Sequence, residues 1–273
     1  MDDQVAHRPS PALATAIRRF VGYQFEGLDP GEHVGLPSTK LTLVLPVRDK
    51  LDVTLGGQRG QYDATISGLH LGPATIHYNT TQVGVELSID PLASRRLLGV
   101  PAGELAGTVL ELDSVWGALT GQLLDAIHST STSVERCAAV ERLLHTIDTP
   151  DVRREVANAW QLIVRSGGLL TIEAIADAVG WSRRHLELQF RRELGVSPKQ
   201  ACRLRRFERA VGLVRDNHDL AEAAAIAGFA DQPHLYRDWR ELTGTTPKRW
   251  LLDDGLAFVQ DGARSLVNSG SHD

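Results

Sequence analysis

The chain has 273 residues, 23% of them charged, with a formal net charge of −5 and only two cysteines. That length allows two domains with separate cores, and no run of 18 apolar residues exists to span a membrane. The N-terminus, Met1-Asp2-Asp3-Gln4, lacks the basic and apolar segments of a secretion signal, and Cys137 and Cys202 are too far apart for a CxxC metal or redox pattern. A cytoplasmic, nucleoid-associated location is the default expectation, with no metal and no cofactor.

Residues 1–10 are polar with Pro9 and read as a frayed arm; Leu13 to Tyr23 spaces Leu13, Ile17, Phe20 and Val21 in a way that suits either helix or strand. From Leu36 the pattern is β. Leu41 to Leu45 is apolar up to Pro46, Leu51 to Leu55 alternates, and Gly56-Gly57 supplies a turn. Further strands are predicted at Ala64 to Ser67, Leu69 to Leu71, Thr75 to Tyr78 and Val83 to Ile89, between Gly, Pro and Asn breakers. Asp90-Pro91 is an N-cap followed by a first-turn proline, so a helix is expected from Pro91 to Leu98, ending at Gly99. Helices are expected again over Val115 to His128 and Val134 to Thr146. The predicted fold class is therefore an α+β N-terminal domain, a small antiparallel sheet or barrel plus helices, over 1–149. Asp148-Thr149-Pro150 marks its end.

From 150 the pattern is all helical. Asp151 to Arg165 forms a first helix with Trp160 and Ile163 turned inward, and Thr171 to Leu252 then reads twice as one unit. In the first copy Ile172, Ile175, Ala176 and Val179 make a helical stripe that stops at Gly180, which can take positive φ cheaply. Ser182 occupies an N-cap position, Leu186 and Phe190 lie four apart on the inner face of the next helix, and Leu194-Gly195-Val196-Ser197-Pro198 closes the unit. In the second copy Leu220 to Ala227 is the helix, Gly228-Phe229 the turn, Asp231 to Leu242 the second helix and Gly244-Thr245-Thr246-Pro247 the closer. One helix-glycine-helix match is common in helical proteins; two with matching closers are not. Lys199 to Arg215 joins them, with Leu204, Phe207, Val211 and Val214 on one face and Arg203, Arg205, Arg206 and Arg209 around the other. A helix of that length spans roughly 25 Å, near the ~34 Å of one duplex turn once packing offsets are added.

These residues resemble the DNA-binding domain of the AraC/XylS family of bacterial transcription regulators. The resemblance covers 150–252 and rests on Ile175-Ala176, Gly180-Trp181-Ser182, His185-Leu186, Phe190, Gly195, Pro198, Gly228-Phe229, His234-Leu235, Arg237, Trp239, Gly244 and Pro247. Two positions depart from it: Pro233 stands where serine is usual and Trp239 where phenylalanine is usual. The resemblance implies a double helix-turn-helix, double-stranded operator or promoter DNA as partner, contact with RNA polymerase as for an activator, and an N-terminal half that binds a small-molecule effector or forms a homodimer. Gly84 to Leu112 looks like the end of such a regulatory domain.

On the first recognition helix the expected DNA contacts are Arg183, Arg184, Glu187, Leu188 and Arg191, with Ser182 as cap. They lie opposite Leu186 and Phe190, and their types suit guanine, cytosine and the thymine methyl. On the second the expected contacts are Gln232, His234, Tyr236, Arg237 and Arg240, with Tyr236 equally readable as core. Charge agrees with this division: 151–252 holds 17 basic against 13 acidic residues, a balance of +4 that leaves −9 for the rest. Residues 253–273 are rich in Gly, Ser and Asp and read as a loose tail.

The rival class is an enzyme or ligand-binding module with a helical protein-interaction half. His33, His70 and His77 show no HxH or HExxH spacing, and solvated or hydrogen-bonded roles are expected for them. Asp49, Asp52, Asp63 and Glu86 fall at turns or alternating strand positions, where a solvated face accounts for them. No GxSxG, P-loop or dinucleotide motif is present, and neither cysteine has a neighbour that would activate it. No enzyme activity is expected.

Overall fold

The computed structural model describes residues 3–145 and 153–253. The predicted boundary at Asp148 to Pro150 and the tail beyond Asp253 lie outside them.

Ten strands form two antiparallel sheets. They are β1 (Asp3–Ala6), β2 (Ile17–Glu26), β3 (Gly31–Gly35), β4 (Leu41–Pro46), β5 (Leu51–Leu55), β6 (Gln58–Tyr62), β7 (Thr65–Ser67), β8 (Ala74–Tyr78), β9 (Thr81–Ile89) and β10 (Val109–Glu111). One sheet has the order β1-β2-β9-β4-β7-β10, the other β3-β8-β5-β6. Interleaved helices are α1 (Ser94–Leu98), α2 (Ala102–Leu105), α3 (Asp113–Trp116), α4 (Ala118–His128) and α5 (Ser133–Leu144). The remainder is helical: α6 (Arg154–Arg165), α7 (Ile172–Ala178), α8 (Arg183–Leu194), α9 (Pro198–Arg215), α10 (Leu220–Ala227), α11 (Gln232–Thr243) and α12 (Pro247–Asp253). The N-terminal half is thus two-sheet α+β, as the alternation and breakers predict.

Strand alternation assigns the two faces of the larger sheet. Leu41, Leu43 and Leu45 on β4 and Val85, Leu87 and Ile89 on β9 are buried in one core with Leu97, Leu105 and Val140. Their neighbours Thr42, Val44, Glu86 and Ser88 turn to the opposite face, which looks across a cavity at the smaller sheet.

Four expectations are corrected. The arm at residues 1–10 is not frayed: β1 pairs with β2, and the Glu141 carboxylate takes bonds from the Ser10 amide (2.7 Å) and the His7 ring (2.6 Å). Leu69 to Leu71 is no strand, because Leu69 is buried as an apolar plug in a loop that leads back to β8. Residues 115–128 are not one helix, since Gly117 has positive φ (54°) and separates α3 from α4. Glu86 is not solvated: it is 4% exposed and paired with Arg19 at 2.7 Å on the cavity face. The connector arginines lie opposite the buried Leu204, Phe207, Val211 and Val214, as the spacing predicts, and are engaged by neighbouring elements. Arg203 bridges Asp238 and Glu241, Arg205 binds Glu208 and the Val164 carbonyl, and Arg206 lies over the Phe229 ring.

Candidate nucleic-acid interface

The two repeated units fold as their caps and stripes dictate. Thr171 caps α7, Ser182 caps α8 by accepting the His185 amide (3.2 Å), and Asp231 caps α11 by accepting the His234 amide (2.7 Å). Gly180 (φ 72°) and Gly228 (φ 83°) make the sharp turns at a backbone conformation unfavourable for residues with a Cβ. Leu186 and Phe190 are fully buried with the Trp160 ring tilted against Phe190, and in the second unit Leu235 and Trp239 are fully buried. The larger ring at Trp239 fits because Phe207 and Trp250 meet it edge-on, each at 5.3 Å.

Burial on the inner faces leaves the outer ones exposed. On α8 Arg183, Arg184, Glu187, Leu188 and Arg191 all reach solvent with the capping Ser182, and Leu188 is 62% exposed. Arg183 pairs with Glu173 on α7, and Arg191 pairs with Glu187 at 3.2 Å. The Arg184 guanidinium makes no ion pair or hydrogen bond among the described residues. On α11 Gln232, Arg237 and Arg240 are exposed and Tyr236 is 36% exposed, which resolves its ambiguity against the core. His234 is different: it is half-buried, edge-on to Phe229 at 5.2 Å, and its ring nitrogen accepts the Ala230 amide at 3.4 Å. The 18 residues of α9 between the units span about 27 Å. Arg203 on α9 fixes α11 through Asp238 (3.0 Å) and Glu241 (2.6 Å), and these bonds, Glu241 first, raise its pKa.

A family model described as a helix-turn-helix domain matches residues 175–252. This segment is an AraC-type helix-turn-helix domain. Among solved structures, ToxT from Vibrio cholerae is 9% identical over 87% of this chain and 98% of its own, with a TM-score of 0.51. A second ToxT structure, bound to (E)-4-(8-methylnaphthalen-1-yl)but-3-enoic acid, is 9% identical over 85% and 97%, with a TM-score of 0.50. Both show a shared fold across the two halves. An AraC-type DNA-binding domain regulator from Chromobacterium violaceum is 26% identical over 37% of this chain and 93% of its own, with a TM-score of 0.35. No curated protein matches the chain. The AraC-type domain makes this chain a DNA-binding transcription regulator in outline.

The AraC-type domain is braced by the N-terminal half in a way the sequence does not announce. Arg95 on α1 holds Glu193 near the end of α8 through two bonds of 2.6 and 3.0 Å. Glu208 on α9 is buried and accepts the Thr39 amide (2.8 Å), the Thr39 hydroxyl (2.7 Å) and the Lys40 ammonium (2.8 Å). Burial pushes its pKa up, but Lys40 and Thr39 outweigh that and hold it below the usual carboxylate value. Thr39 and Lys40 carry no motif; only proximity in the fold reveals them.

The remaining candidates for chemistry are absorbed by packing. His70 bonds the Gly72 carbonyl at 2.6 Å, His77 bonds Thr54 at 3.0 Å, and burial lowers the His33 pKa to about 4. Among the described residues no three His, Cys, Asp or Glu side chains are grouped to hold a metal ion. Asp52 is pulled down to about 2 by the hydrogen bond from Arg59, and Asp63 pairs with Lys50 at 2.7 Å. Burial pushes the Cys137 and Cys202 thiols up to about 12 and about 11, which suppresses the nucleophilic thiolate. No helix among the described residues is long and apolar enough to cross a membrane.

Proposed function

We propose that the chain is a sequence-specific transcription regulator in which α8 and α11 enter successive major-groove segments of operator DNA. Residues 150–252 act as the DNA-binding domain, 1–149 as an effector-binding or dimerisation domain and 253–273 as a tail. The observation that carries this is the exposed outer face of α8, where Arg184 and Leu188 stand with no intramolecular use beside the engaged Arg183, Glu187 and Arg191. A base edge gives such groups partners of matching type. On α11, Gln232, Arg237, Arg240 and Tyr236 supply phosphate or purine contacts, while His234 serves the turn. RNA polymerase contact follows from the same assignment.

The N-terminal half supports an effector role through its cavity, about 1700 Å³ between the two sheets and α9, large enough for a small molecule. The acid-bound ToxT structure shares this fold. Because Glu208 lies on that cavity and on the connector between the two units, occupancy can reach the DNA-binding face.

The test is an operator selected from random duplex by the full chain. Arg184→Ala should cost roughly 1 to 3 kcal/mol of operator affinity and relax specificity at one base pair. Arg237→Ala, if it grips phosphate, should weaken all operators alike and flatten the salt slope by about one unit. Operator affinity unchanged in both Arg183→Ala and Arg184→Ala would refute the α8 assignment.

A further inference from the structure

The cavity between the sheets and α9 has a wall whose chemistry narrows what can occupy it. Polar and apolar groups share that wall, with Val53 and Ile76 from the smaller sheet facing Thr42, Glu86 and Ser88 from the larger. Its ionic groups come as matched pairs. Arg19 is held by Glu86 at 2.7 Å, Lys40 by Glu208 at 2.8 Å, and Arg59 by Asp52 at 2.8 Å. Every other lysine or arginine along the wall is engaged as well, to a carboxylate or, for Arg215, over the Trp250 ring at 4.7 Å.

An anionic ligand needs a cation to meet it. Here each cation already has a partner, and of the two deepest carboxylates Glu86 is buried and Glu208 mostly so. Drawing Lys40 to a ligand carboxylate would leave the mostly buried Glu208 with Arg205 alone, at 3.2 Å, and weakening such a pair is destabilising. A cationic ligand meets the reverse obstacle, since it must take a carboxylate from its arginine or lysine.

What the wall does offer is neutral. His33 lines the cavity with an imidazole that is uncharged at neutral pH; its Nδ1 is enclosed by the protein without a hydrogen-bond partner among the described residues, so Nε2 is the nitrogen it can offer to a ligand. Tyr78 packs beside it with ring centroids 5.9 Å apart. Thr65 and Ser88 are buried hydroxyls on the facing sheet. A ligand hydroxyl or carbonyl can pair with Nε2, which donates or accepts according to the tautomer of the neutral ring.

We propose that this cavity takes an uncharged amphipathic small molecule, with an apolar body and a hydroxyl, amide or carbonyl group bonded to His33, and that it discriminates against carboxylates. The inference rests on the assignment of the N-terminal half as an effector domain. Glu208 is then the reason an acid is refused: its carboxylate already occupies Lys40.

The test uses the full chain and matched pairs of carboxylic acids and their primary amides with aryl, alkyl and sterol skeletons, starting from (E)-4-(8-methylnaphthalen-1-yl)but-3-enoic acid and its amide. Thermal unfolding identifies binders and calorimetry ranks them. For any skeleton that binds, the amide should exceed the acid by about tenfold or more, because Glu208 would keep only its Arg205 contact. Glu208→Gln, which releases Lys40, should bring the acid up toward the amide. His33→Phe, which keeps the ring volume, should weaken the amide roughly three- to tenfold; it reads the proposal independently should the Glu208→Gln variant not fold. Acids that bind the unaltered protein as tightly as their amides overturn the proposal. If neither set shifts the unaltered protein or its Glu208→Gln variant, the effector assignment itself fails and this inference goes with it.

Discussion

The two helix-turn-helix units share a plan but not a core. The first packs its Leu186, Phe190, Leu194 and Val196 into one continuous apolar cluster with Leu97, Ala102 and Leu105 of the N-terminal half. The second has a cluster of its own, Leu204, Phe207, Leu235, Trp239, Leu242 and Trp250, which only Leu36 and Leu71 reach from outside among the described residues. Sequence repetition therefore does not imply mechanical equivalence. The outer helix of the first unit, α8, is mounted on the N-terminal half, whereas that of the second, α11, is carried by the connector α9.

The largest expected effect separates the two units outright. Trp239→Ala empties the centre of the second cluster and should cost about 3 to 5 kcal/mol. Hydrogen exchange should then show α10 to α12 losing protection while α8 keeps its own; equal loss in both units would mean that they share one cooperative core after all.

A smaller effect works from the other side. Arg95→Ala removes two charge-assisted bonds from the mostly buried Glu193 and should cost roughly 2 kcal/mol. Chemical denaturation measures the loss, and exchange should rise at α8 but not at α11. A change confined to α1 would deny that this pair braces the first unit.

Acid supplies the mildest perturbation. Because the folded pKa of Glu208 lies below 4.5, its unperturbed value, the stabilisation is fully present above that pH and fades as pH falls through the lowered value. Denaturation midpoints followed from pH 6 downward should drop less in Glu208→Gln than in the unaltered chain. Parallel curves would show that the Lys40 contact contributes nothing to the pH dependence.

Much of the helical half is legible in the sequence because its determinants are local. Ser182 and Asp231 cap where a short polar side chain precedes an apolar stripe, and Leu186 with Phe190 is buried at the spacing one helix turn requires. What escapes is set by contacts distant in sequence. β3 and β6 leave little trace in the pattern because their residues, such as Glu32 and Arg59, are those of exposed strands with little apolar alternation. Leu69 reads as a strand residue because burial in a loop and burial in a sheet leave the same apolar letter. Alternation on β9 correctly puts Glu86 opposite Leu87, but cannot tell a face that meets water from one that meets a second sheet. Arg203, Arg205 and Arg206 read only as the polar side of the connector, because their partners Asp238, Glu208 and the Gly168 carbonyl lie in other elements or one turn away. At the interface, helical spacing correctly places Arg184 on the outer face, while the inward turn of His234 depends on the Phe229 ring beside it.

The close approach of α2 to the end of α8 bears on how such chains can be recombined. A Cβ on Gly103 would sit 2.5 Å from the Arg192 carbonyl oxygen, and one on Gly195, whose φ is 76°, would overlap the methyl of Ala106. Both glycines are needed for the halves to seat, although they lie on opposite sides of the segment where a gene fusion would naturally be cut. A chimera that joins this N-terminal half to another DNA-binding half by matching only the joint inherits one glycine and gambles on the other. Transplanting this N-terminal half onto a new helical half therefore means transplanting a seam of paired positions, and the unit of exchange is the interface, not the stretch of chain.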